Sequence, residues 1–76
     1  MFRFQPIEQS LSSPELGGYR AYGIQAFVTT PTGCEEAGFV SDVSCDLVFT
    51  ARLAETCEQL QLDPVHLMDV ILDALP

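Results

Sequence analysis

The chain is 76 residues long and 47% hydrophobic, with three arginines, no lysine, eleven carboxylates and a formal net charge of −8. That length holds one small domain, and that charge excludes direct nucleic-acid binding, because Arg3, Arg20 and Arg52 are too few and too scattered to neutralise phosphates. The anionic cytoplasmic leaflet repels the chain for the same reason, and no apolar run reaches the roughly 18 residues of a membrane span.

Residues 2–12 read as a strand in which Pro6 permits only an edge position or a bulge. Met1 to Pro6 has neither the long apolar stretch nor the small-residue cleavage site of a signal peptide. Pro14-Glu15-Leu16-Gly17-Gly18 reads as a turn. Residues 19–30 form the clearest strand: Tyr22, Ile24, Ala26 and Val28 share one apolar face, while Tyr19, Ala21 and Phe27 take the other. A break at Pro31-Thr32-Gly33-Cys34-Glu35-Glu36 leads to a short strand at 38–43. Hairpin-length connections make this a three-stranded antiparallel meander.

Helical periodicity then takes over. Ser44 or Asp46 is placed to cap a helix over 45–61, whose apolar stripe is Phe49, Leu53, Cys57 and Leu60; Arg52, Glu55, Glu58 and Gln59 fall opposite. A second helix spans 64–75, with Asp63 as its N-cap and Pro64 at the first position. Only His66, Asp69 and Asp73 make a polar stripe on it. Val65, Leu67, Met68, Val70, Ile71, Leu72, Ala74 and Leu75 fill most of the remaining circumference.

A helix that is apolar nearly all round must be covered on more than one side. Leaving three or four such side chains uncovered forfeits about 1.5–3 kcal/mol each. The last helix therefore lies between sheet and first helix, or it packs against another chain. A homodimer seam would use Val65, Met68, Leu72 and Leu75; a groove for a different partner is the remaining alternative. Phe2, Phe4, Tyr19 and Phe27 cannot all lie on the helix-covered face with Tyr22, Ile24 and Val28, and Tyr19 and Phe27 join the interface candidates. The free edges of a small sheet offer a further route to pairing.

His66, Asp69 and Asp73 are the one set with metal-ligand chemistry, although i, i+3 neighbours of this kind are routine on helices and no H-E-x-x-H spacing is present. The resting expectation is a half-exposed His66 near Asp63 or Asp69, with no metal and no cofactor. No lysine is available for Schiff-base or phosphate chemistry, and no G-x-S-x-G, P-loop or dinucleotide fingerprint occurs, so the chain is read as non-enzymatic. The two helices have helix-turn-helix spacing, but a recognition helix bearing His66, Asp69 and Asp73 repels DNA. Cys34, Cys45 and Cys57 are odd in number and lack C-x-x-C, which fits three thiols in a reducing cytoplasm. Cys57 reads as core packing, and Cys34 beside Glu35 and Glu36 is a poor nucleophile. Glu35-Glu36 reads as a solvated loop tip; the acidity also admits an inhibitor or mimic that binds a basic protein.

The stretch Leu62-x-Pro64-x-His66-Leu67-x-Asp69-Val70, with Tyr22-Gly23-Ile24 in a strand and Asp42 before the first helix, resembles a family of short bacterial proteins of unknown function. The resemblance runs from about Tyr19 onward and centres on the P-x-H-L-x-D-V motif. It implies that His66 and Asp69 are a signature pair, and it carries no activity, ligand or partner. An acidic residue often stands in that family where this chain has Leu72.

The sequence thus predicts an α+β domain, a three-stranded antiparallel meander followed by two C-terminal helices packed on one face. The leading functional expectation is a cytoplasmic protein-interaction module that forms a homodimer. The alternatives are a small metal- or ligand-binding protein using His66, Asp69 and Asp73, and an acidic inhibitor of a basic partner.

Overall fold

The computed structural model describes residues 1–75. Strands β1 (Phe2–Ser13), β2 (Gly17–Thr30) and β3 (Gly33–Ser44) form one antiparallel sheet in that order. Helix α1 (Leu47–Gln59) follows, then a single 3-10 turn (Pro64–His66) that runs into α2 (Leu67–Ala74). The helices pack on one face of the sheet, which gives the α+β arrangement.

The inner face follows strand periodicity. Phe2 pairs with Val28, Phe4 with Ala26 and Pro6 with Ile24, so these side chains point the same way. Phe4, Ile24, Ala26 and Val43 are buried there against Ala54 and Cys57 of α1 and Leu67 and Ile71 of α2. Pro6 sits on the edge strand, in the same alternation as Phe2 and Phe4, whose N–H groups turn away from β2. Its missing N–H therefore costs no ladder bond.

Strand β3 reaches the core through a bulge. Tyr22 pairs with Ser44 and Ile24 with Val40, so Ser41, Asp42 and Val43 all stand opposite the single Gly23. Val40 and Val43 are three apart and would otherwise face opposite sides of the sheet. Asp42, at φ 56°, absorbs the extra length and lets both valines pack inward.

Several expected boundaries shift. β3 begins at Gly33 rather than at residue 38, because Pro31-Thr32 suffices as the turn between Thr30 and Gly33. Glu35 and Glu36 therefore pair with Val28 and Phe27 on an edge strand and are not a loop tip. Helix α1 spans 47–59 rather than 45–61. It buries Thr50, Ala54 and Cys57, while the expected stripe residue Leu60 is 73% exposed beyond the helix end. The second helix is a 3-10 turn followed by eight α residues rather than a continuous helix over 64–75.

Each helix start is capped as its residues dictate. Asp46, not Ser44, caps α1 and accepts the N–H of Val48 (2.9 Å) and Phe49 (3.2 Å). Asp63 accepts the Val65 N–H at 3.1 Å ahead of Pro64.

Candidate interaction surface

Helix α2 meets the sheet with Leu67 and Ile71, both essentially inaccessible, and Val70 and Leu75 pack beside them. What remains outside is a row. Val65 is 75% exposed, Met68 50% and Leu72 60%. Their spacing of three and four residues places them on one stripe, and the exposed His66, Asp69 and Asp73 lie among them.

Three of the interface candidates on the 3-10 turn and this helix are therefore uncovered by their own chain. Leu75 is not one of them: it is half-buried in the intrachain core at the helix C-cap. Tyr19 and Phe27 are each half-buried on the sheet face away from the helices. Tyr19 donates its hydroxyl proton to Asp42 Oδ2 at 2.8 Å. The bond to that carboxylate holds the tyrosine pKa above its ordinary value of 10.0, with desolvation a smaller cause. Phe27 lines an open cleft of about 380 Å³ with Arg3, Phe4, Gln5, Cys34 and Glu58.

His66, Asp69 and Asp73 do not form a ligand set. Among the described residues no three His, Cys, Asp or Glu side chains come close enough to hold a metal ion. The His66 main chain closes the 3-10 turn, donating its N–H to the Asp63 carbonyl at 2.9 Å. The cysteines are unpaired: Cys34 and Cys45 are exposed, whereas Cys57 is buried and its thiol pKa is pushed up by desolvation.

Two features escape sequence patterns. Leu47 and Val48, at the start of α1 and outside the stripe of Phe49, Leu53 and Cys57, are exposed apolar residues. Glu58, assigned by period to the solvent side, instead turns toward β1, where its carboxylate accepts the Phe4 N–H at 3.0 Å. Only the three-dimensional position of the helix end over the sheet edge reveals that role.

No family model, curated protein or solved structure matches the chain. No helix among the described residues is long and apolar enough to cross a membrane.

Proposed function

We propose that this chain is a non-enzymatic protein-interaction module that associates with a second copy of itself through the outward row of α2. The observation that carries this reading is that α2 completes its own core contacts with Leu67 and Ile71, while the 3-10 turn and α2 together still present Val65, Met68 and Leu72 to solvent. Moving such partly exposed side chains into an interface gains about 1–2 kcal/mol each. A second copy contributes its own three, so the gross gain is roughly 6–12 kcal/mol against an association cost that starts at about 4 kcal/mol. The net gain is then at most about 8 kcal/mol, which gives a dimer no tighter than about 1 µM. The three unpaired thiols support a reducing, cytoplasmic setting for it.

The charge favours a second reading. Asp69 and Asp73 are exposed on α2 and the net charge is −8, so a basic amphipathic segment of another protein complements the same row. Salt separates the two. Raising ionic strength screens repulsion between like-charged copies and strengthens self-association, whereas it weakens a complex with a basic partner.

The test is sedimentation equilibrium of the wild type and of the Met68→Glu/Leu72→Glu variant. Self-association predicts a mass rising from 8.3 kDa toward twice that value for the wild type only. A wild type that stays at the single-chain mass up to about 1 mM contradicts it.

A further inference from the structure

The end of α1 covers the start of the free edge of β1, at Phe2 and Phe4, with side chains where a strand would otherwise lie. β1 is an outer strand, so alternate residues turn their N–H and C=O groups away from β2. At Phe2 one side chain takes both groups: the N–H donates to Gln61 Oε1 at 2.8 Å, and the C=O accepts from Gln61 Nε2 at 2.9 Å. That is the donor and acceptor pairing of a residue in a neighbouring strand. Two residues on, the Phe4 N–H donates to Glu58 Oε1 at 3.0 Å, and Arg3 Nε lies 3.9 Å from the same oxygen. Pro6, the next in the alternation, has no N–H to offer.

The backbone of Gln61 is set up for this role. α1 ends in a Schellman motif: the Gln61 N–H donates to the Glu58 carbonyl (3.1 Å) and the Leu62 N–H to the Cys57 carbonyl (3.0 Å). Gln61 occupies the left-handed position at φ 49°, where glycine is the usual residue. Its amide nitrogen also donates to the Glu58 carbonyl at 2.8 Å, which fixes the side chain toward Phe2.

We propose that Gln61 and Glu58 are a surrogate strand that stops β1 from pairing with β1 of a second copy, leaving association to α2. The covering of the β1 edge is independent of the α2 reading; only the assignment of association to α2 rests on it.

The test places Glu58→Ala and Gln61→Gly in the Met68→Glu/Leu72→Glu background, where the α2 row is silenced. Glycine suits the left-handed turn, so the backbone of the helix end is kept. Hydrogen exchange and sedimentation are the readouts. Opening the edge predicts that the Phe2 and Phe4 amides exchange at least about ten-fold faster in dilute protein. It also predicts that a dimer forms as concentration rises, with protection at those amides restored. If the double variant does not fold, Gln61→Gly alone carries the same two readouts at Phe2. A folded variant with unchanged exchange, or one that stays monomeric at every concentration, overturns the proposal. Because α2 is silenced throughout, failure of the α2 reading leaves this result unaffected.

Discussion

Gly23 has no room for a methyl group. A Cβ there would lie 2.5 Å from the Val40 carbonyl oxygen and 3.0 Å from both Gln9 Oε1 and the Phe39 ring. The close approach lets the Gln9 side chain cross the strand and hold the bulge, accepting the Asp42 N–H at 2.9 Å and donating to Ser41 Oγ at 2.9 Å. Gly23→Ala forces strand backbone apart and should cost about 2–3 kcal/mol in a denaturant melt. Tyr19 ties the same bulge through Asp42, and its raised pKa has a direction in stability. The folded state holds the phenolic proton more tightly than the unfolded chain, so this contribution is complete below about pH 10 and is lost as pH climbs through the folded value. Tyr19→Phe should therefore show a shallower alkaline loss of stability than wild type, measured by urea melts at stepped pH. Cys57, buried with a raised pKa, should resist alkylation until the chain unfolds, whereas Cys34 and Cys45 label in the native protein.

Among the elements, those with a strong period and a clear cap are readable in one dimension. β2 shows it, since Ile24 and Ala26 alternate with outward residues and both are fully buried. The N-cap of α1 shows it too: Asp46→Ala removes the acceptor of two first-turn N–H groups and should destabilise by about 1 kcal/mol in a thermal melt. β3 was harder to read because Gly33, Glu35 and Glu36 are poor strand formers on their own; their pairing with β2 supplies what propensity lacks. The two glutamates then act on that outer edge as charges that discourage further strands. The end of α1 departs from its sequence pattern for a different reason. Leu60 continues the apolar spacing, yet a left-handed Gln61 turns the chain and leaves Leu60 in solvent. Nothing local distinguishes this glutamine, because its partners at Phe2 lie 59 positions away. On α2 the apolar excess was legible as a quantity, but its division was not. Which residues face inward follows from the 3-10 turn, which sends Leu67 and Ile71 to the core and Val65 outward.

At the scale of the whole molecule, a sheet of 12- to 14-residue strands carries helices of only 13 and 8 residues, and the described chain extends 44 × 26 × 19 Å. The buried core is correspondingly small, with Ile24, Leu67 and Ile71 its largest fully enclosed apolar side chains. A chain of this size hides only about 60% of its unfolded surface, so the proposed second copy on α2 would add apolar burial that the monomer cannot supply. Its outer edges carry devices against strand pairing: Gln61 and Glu58 over β1, and Glu35 and Glu36 along β3. The apolar row of α2 carries none except its flanking aspartates. The most direct measurement of this arrangement is an isotope-filtered NMR experiment on an equimolar mixture of labelled and unlabelled protein near 0.5 M salt, at about ten times the dimer half-point. The account predicts intermolecular contacts from the methyl groups of Val65, Met68 and Leu72 to the same residues of the other copy. Contacts that map to β1 or β3 instead, or none from α2, would contradict it.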